Sequence, residues 1–188
     1  IEQSVGANPF KLGFIGSTDT HGGTPGLVNE VDFATAGHLG TRDGIADFKL
    51  EKQSIANLGG IEANPGGLAV VWAEENARDA IFSSMRRREV YGTSGTRPIL
   101  RFFGGDYADD LCDSADLAHQ GYARGVPMGG ELGPLNKKKS PSFAVMAMKD
   151  PGAPGAPSTP LQRIQIIKGW VDYFGSSHEK VFEVAGDP

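Results

Sequence analysis

Glycine and proline occur so often in this chain that long helices cannot dominate its fold. The 188 residues include 27 glycines and 12 prolines. Glycine weakens the interior of helices and strands and proline removes a backbone donor, so both residue types concentrate in turns and loops. The sequence therefore predicts short elements joined by extensive loops. Its length suits one domain, or a domain with an appendage.

One segment has the apolar period of a helix. Apolar residues recur every four positions from Ala77 to Met85, and Asn76 is suited to the N-cap position. Three arginines at positions 86–88 complement the carbonyl end of such a helix. The pattern predicts a helix over residues 77–88 whose apolar stripe packs on a sheet and whose arginines are solvated.

Five short runs have the length and apolar content of strands, and they cover residues 11–15, 68–72, 99–103, 142–148 and 163–171. The last three follow one another after residue 95, separated by segments rich in glycine, proline and charge. They predict a small antiparallel β-module over residues 96–188. Residues 1–95 then form the first domain, with a long glycine-rich loop over residues 22–67.

The last predicted strand shows a partial alternation of apolar and polar residues. Ile164 and Ile166 are expected to face the core, while Arg163 and Gln165 face water. We expect this strand to pair with the strand at residues 142–148 across the proline-rich loop between them.

Charge and cysteine content exclude several classes of partner and site. Eighteen Lys and Arg against 23 Asp and Glu give a net charge of −5, which argues against binding to nucleic acid or to an anionic membrane. Cys112 is the only cysteine, so an internal disulfide is excluded. No apolar run approaches the roughly eighteen residues of a membrane span. We expect a soluble chain, and no feature indicates its compartment.

The run GSTDTHGG at residues 16–23 is the most informative motif. In extended backbone, side chains two positions apart point the same way, so Asp19 and His21 can direct a carboxylate oxygen and an imidazole nitrogen at one point. That arrangement suits a metal ion. The alternative is a capping aspartate and a hydrogen-bonded histidine without a metal.

Three further residues are candidates for contact with a substrate. The segment at residues 92–97 offers Ser94 and the Arg97 guanidinium, which could hold an anion. The alternative is a turn whose hydroxyls satisfy the backbone. His38, in the glycine-rich loop, could contact a substrate or be a solvated surface residue.

Three longer motifs, at residues 13–21, 69–98 and 163–172, together resemble the family filed as domain of unknown function 3604 (DUF3604). That family is similar to the PHP (polymerase and histidinol phosphatase) superfamily of metal-dependent phosphoesterases. The resemblance implies that Asp19 and His21 match the closing D-x-H of a PHP metal centre. It also implies an α+β fold: the last strands and the last helix of a distorted PHP-like (β/α) barrel, followed by the β-module.

The resemblance implies a hydrolase that uses metal-activated water on a small-molecule phosphoester, with Zn, Mn or Fe as the divalent ion. PHP sites also open with an H-x-H motif, and the four histidines here form none; they are His21, His38, His119 and His178. We therefore expect the chain to be a C-terminal portion that lacks most metal ligands, holds little or no metal by itself and is inactive alone. Exposed edges at residues 11–15 and 68–72 would then favour self-association. The alternative is a non-catalytic, β-rich binding or interaction module.

Overall fold

The computed structural model describes residues 2–17, 67–107, 111, 115–133, 140–152, 154 and 158–186. The chain divides into two compact units, one made of residues 1–11 with 159–188 and the other of residues 12–158. The predicted boundary after residue 95 falls within the second unit. No helix in the described ranges is long and apolar enough to cross a membrane.

Three short helices and seven strands make up the regular structure of the described residues. The helices are α1 (Glu2–Val5), α2 (Arg78–Arg86) and α3 (Leu117–Arg124). The strands are β1 (Ala69–Val71), β2 (Val90–Gly92), β3 (Ile99–Gly105), β4 (Gly125–Pro127), β5 (Ser142–Met148), β6 (Arg163–Val171) and β7 (Ser177–Gly186). The expected α+β class is confirmed.

All strand pairs of the described residues are antiparallel. β1 pairs with β2, β3 lies between β4 and β5, and β6 pairs with β7. These strands form three separate sheets and no closed barrel. The PHP-like barrel is therefore not seen in this part of the chain.

The core of the larger unit lies between β3 and α3. Phe103, on the central strand, is only 1% exposed and meets the ring of Tyr122 edge to face, with centroids 5.1 Å apart. The hydroxyl of Tyr107 donates to the carbonyl of Gly121 at 3.0 Å, which ties the end of β3 to α3. The buried core residues are Phe103, Tyr107, Leu111, Leu117 and Ala144.

The prediction of a buried strand at residues 11–15 is wrong. The structure assigns no strand there, and Leu12, Phe14 and Ile15 are between 62% and 85% exposed. The segment approaches β2 through its glycines: a Cβ at Gly16 would lie 2.6 Å from the carbonyl oxygen of Thr93. Contact through glycine backbone leaves the large side chains pointing away, so the apolar run is not a core strand. Self-association through this segment stays a prediction.

The predicted pairing of β6 with β5 is also wrong. β5 pairs with β3 along its whole length, and β6 pairs with β7, which the sequence pattern did not indicate. The turn between β6 and β7 is closed by Asp172, whose Oδ1 accepts the backbone N–H groups of Phe174 and Ser176 at 2.9 Å each. Closing a short turn costs less conformational entropy than closing the long proline-rich loop, and this difference favours the local hairpin. The alternation is confirmed, because Ile164 and Ile166 are half-buried between exposed neighbours.

Candidate functional site

The larger unit contains a cleft of about 680 Å³, which lies within the usual size range of small-molecule sites. We call it the Arg101 cleft. Its lining combines two aromatic rings, two arginines and two glutamates with small apolar residues. The lining residues are Trp72, Ala73, Glu74, Arg87, Glu89, Arg101, Tyr122 and Pro127.

Trp72 is fixed at one end of the two-stranded β1–β2 ribbon. Its backbone N–H donates to the carbonyl of Glu89 at 3.0 Å, which extends the pairing of the two strands. Its indole Nε1–H donates to the carbonyl of Leu100 at 3.0 Å, on the neighbouring sheet. The ring is therefore held between two sheets by both its backbone and its side chain.

The C-terminus of α2 directs Glu89 into the cleft. The backbone N–H of Glu89 donates to the carbonyl of Ser84 at 3.1 Å, and that of Arg88 donates to Met85 at 3.0 Å. With Arg88 at a φ of 64°, this is the Schellman arrangement that ends many helices. The helix itself begins later than predicted, and its N-cap is Ala77 without a side-chain hydrogen bond, so the prediction of Asn76 as the cap is wrong.

Glu89 is 4% exposed, and both of its carboxylate oxygens have partners. Oε1 accepts a hydrogen bond from the hydroxyl of Tyr122, and Oε2 lies 3.6 Å from Nη2 of Arg87. Desolvation raises the pKa of the Tyr122 hydroxyl, and the hydrogen bond and charge of Glu89 raise it further, against a lowering by Arg101. Tyr122 is therefore a neutral donor near pH 7.

Arg101, on β3, completes the cluster. Its Nη1 donates to the hydroxyl oxygen of Tyr122 at 2.7 Å, and its Cζ lies 3.5 Å from the centroid of the Trp72 ring. The ion pairs formed among the described residues do not include Arg101. Among the described residues, the guanidinium is thus held by its position over the Trp72 ring and by a hydrogen bond to a neutral hydroxyl.

The predicted metal ligands Asp19 and His21, and the loop residue His38, lie outside the described residues. The described residues that border this segment are close together, since a Cβ at Gly67 would lie 2.7 Å from the carbonyl oxygen of Ser17. Within the described ranges, no group of three or more His, Cys, Asp or Glu residues could hold a metal ion. The metal site stays a prediction.

The two other predicted contact residues lie in the turn between β2 and β3. Ser94 is exposed, whereas the backbone N–H of Arg97 donates to Oδ2 of Asp150 at 2.7 Å. Thr93 Oγ1 accepts the backbone N–H of Leu68 at 3.0 Å, as expected for a turn whose hydroxyls satisfy the backbone. A role for Ser94 and Arg97 in substrate binding stays a prediction.

Asp150 fixes this turn, and its replacement by asparagine is expected to destabilise the fold. The hydrogen bonds from the backbone of Arg97 and Gly152 lower the pKa of this buried carboxyl group. Hydrogen bonds to charged groups contribute about 1.5 to 3 kcal/mol, so Asp150→Asn should reduce the unfolding free energy by an amount in this range near pH 7. Urea denaturation of both proteins measures the difference.

The same pair of proteins tests the sign of the pH dependence. Because the folded pKa of Asp150 is depressed, its contribution is fully present above the ordinary pKa of aspartate, about 3.9, and is lost as the pH falls through the folded value. The deficit of the variant should therefore shrink in acid. Asp79→Asn, at an exposed position on α2, is the matched control. A deficit that is the same at neutral and acid pH would contradict this account.

The sequence pattern did not single out Glu89, Arg101 or Tyr122. A usable signal existed for two of them, because Glu89 directly precedes the apolar pair at the start of β2, and Arg101 interrupts the apolar run of β3. Arg87 was expected at a solvated helix end. It is half-exposed and also pairs with Glu89.

Comparison with known proteins gives one match. A family model described as "Protein of unknown function (DUF3604)" matches residues 1–187. Comparisons with curated proteins and with solved structures find no match. The description of the family names no activity.

Proposed function

Since the chain belongs to the DUF3604 family, we propose that it is part of a metal-dependent hydrolase that cleaves phosphoesters. Asp19 and His21 are its proposed metal ligands. The donor set fits a divalent ion such as Zn, Mn or Fe, because a carboxylate oxygen and an imidazole nitrogen are common ligands of all three. Two ligands are fewer than a closed site needs, so the remaining ligands come from residues beyond this motif.

One observation on the described residues carries the proposal. The backbone of Thr93 lies against both Gly16 and Gly67, the glycines on either side of the segment that contains Asp19 and His21. Ser94 follows Thr93 directly and is exposed. The start of the D-x-H segment and the turn with the predicted substrate contacts therefore meet at the same end of the β1–β2 ribbon.

Each residue has a proposed part in the reaction. Asp19 and His21 hold the ion, which when bound lowers the pKa of a coordinated water and offsets charge on the phosphoryl group. Ser94 and Arg97 bind the phosphoryl oxygens, as hydroxyl and guanidinium donors do. His38 contacts the remainder of the substrate.

Phosphoesterase activity is expected from the natural polypeptide that contains this chain, and little or none from the 188 residues alone. The assay uses an aryl phosphate with Mn²⁺ or Zn²⁺. Replacing both Asp19 and His21 by alanine should reduce turnover by at least about a hundredfold, because even groups that only support metal ligands are worth tenfold to a hundredfold.

A matched control is His119→Ala. It removes an exposed histidine on α3 whose Nδ1 lies 2.9 Å from Oδ2 of Asp116, and it should leave turnover unchanged. Turnover by the 188-residue chain that disappears in the double variant would show that its metal site is complete. Turnover by neither protein would contradict the hydrolase proposal.

A second candidate is a non-catalytic binding module, which the exposed β6–β7 hairpin favours. Tyr173 and Phe174, at its turn, are 97% and 89% exposed. Asp172 holds this turn by accepting backbone N–H groups, and its other carboxylate oxygen lies 2.8 Å from Nε2 of His178. An ordered turn with two exposed aromatic rings suits contact with a partner. Absence of metal-dependent turnover from the natural polypeptide would favour this candidate.

A further inference from the structure

We propose that the Arg101 cleft binds the oxyanion group, phosphate or carboxylate, of a small-molecule ligand, and that Arg101 makes the primary contact. Such binding requires neither the metal ion nor the turnover of the proposed hydrolysis.

The guanidinium of Arg101 is oriented before any ligand arrives. Its Cζ lies over the Trp72 ring and its Nη1 donates to the hydroxyl of Tyr122, so two separate contacts hold the group in place. An arginine side chain has five N–H donors in a planar fork, and Tyr122 accepts one of them. The remaining donors can bind two oxygens of a phosphate or a carboxylate side by side, which is the strongest arrangement for such groups.

The charges in the cleft leave Arg101 available to an anion. The buried carboxylate of Glu89 is matched by Arg87 and by the hydroxyl of Tyr122. The Tyr122 hydroxyl donates a hydrogen bond to Glu89 and accepts one from Arg101. Because this hydroxyl is neutral, the group that Arg101 contacts has no full negative charge. Glu74 also lines the cleft but is exposed to solvent, where water screens its charge.

The same contacts disfavour a cationic ligand. Arg101 lies over the Trp72 ring, so the guanidinium cation already occupies a ring face that would otherwise attract a cationic ligand. Both oxygens of Glu89 already have partners within the protein, so this buried carboxylate, among the described lining residues, is less available to a cation. A volume of about 680 Å³ exceeds that of a single small anion, so an organic group attached to the oxyanion also fits.

Tryptophan fluorescence tests this proposal directly. Trp72 and Trp170 are the only tryptophans, so in a Trp170→Phe background the emission reports on the ring against which Arg101 stacks. Sodium phosphate and sodium acetate are titrated separately, with chloride at the same ionic strength as the reference. We expect a saturable change with phosphate, with acetate or with both, and none with chloride. Saturation by phosphate alone identifies a phosphate ligand, and saturation by acetate alone identifies a carboxylate.

Four variants separate specific binding by Arg101 from general attraction to positive charge. Arg101→Gln should weaken binding by at least about tenfold, and Arg101→Lys should weaken it too, because lysine keeps the charge but not the fork. Tyr122→Phe removes the hydroxyl that orients Arg101 and should weaken binding several-fold. Arg86→Gln removes a positive charge from an exposed position on α2 that does not line the cleft and should change nothing.

Circular dichroism and thermal melting show which variants fold. If Arg101→Gln does not fold, Tyr122→Phe decides the question. If the Trp170→Phe background does not fold, isothermal titration of the unmodified chain replaces the fluorescence measurement. Binding that is equal in the parent protein and in a folded Arg101 variant would overturn the proposal. An equal response to chloride, or no response to either oxyanion, would also overturn it.

Discussion

Replacing Phe103 by alanine is expected to remove about 3 to 5 kcal/mol from the free energy of unfolding, a large part of the 5 to 15 kcal/mol typical of a folded protein. Phe103 is 1% exposed on the central strand of the β4–β3–β5 sheet. It packs on Gly121 and meets the Tyr122 ring edge to face. Truncation leaves a cavity that the surrounding β3–α3 packing cannot close. Urea denaturation followed by circular dichroism measures the loss.

Phe102→Ala is the matched control for this experiment. Phe102 is the neighbouring residue on the opposite face of the same strand, where it is partly exposed and stacks on Phe143 with centroids 5.7 Å apart. The control should lose clearly less stability, because the Phe102 side chain buries less apolar area on folding than the Phe103 side chain does. Similar losses in the two variants would show that the core does not lie on the Phe103 face of β3.

The second large effect is expected when Gly121 on α3 is replaced by valine. A Cβ at this position would lie 2.6 Å from Cγ of Phe103, closer than real contacts allow. Overpacking of this kind costs about 1 to 3 kcal/mol, and the ring cannot move away because it is enclosed by the core. The same denaturation assay applies. Ala123→Val, at an exposed position of the same helix, measures the cost of a branched side chain alone.

A double variant makes the cause of this effect testable. Phe103→Leu shortens the side chain that Gly121→Val would contact, so the combined variant should be more stable than the sum of the two single losses predicts. Additive losses would mean that the valine is harmful for a reason other than contact with Phe103.

Gly121 and Tyr122 are neighbours on α3. The close contact of Gly121 with Phe103, which lets the helix approach β3, therefore also sets where the Tyr122 hydroxyl meets Arg101 and Glu89.

The local elements could be predicted because their signals are local. The period of four over residues 77–85 gave helix α2, and short apolar runs located β3, β5 and β6. The half-buried positions of Ile164 and Ile166 also followed from alternation. The helix start was misplaced because the Asn76 side chain makes no cap, and a suitable residue type does not guarantee that hydrogen bond.

What the sequence by itself determined is therefore the α+β class, most of the strand positions and the membership of the family, because periodicity and motifs are properties of neighbouring residues. Tertiary structure alone decided which strands pair, that residues 11–15 expose their apolar side chains, and that Trp72, Glu89, Arg101 and Tyr122 share one cleft. The physical reason is that each of these outcomes depends on contacts between distant segments. The glycine backbone at Gly16 and Gly121 permits close approach, and the competition between a short turn and a long loop selects the partner of β6.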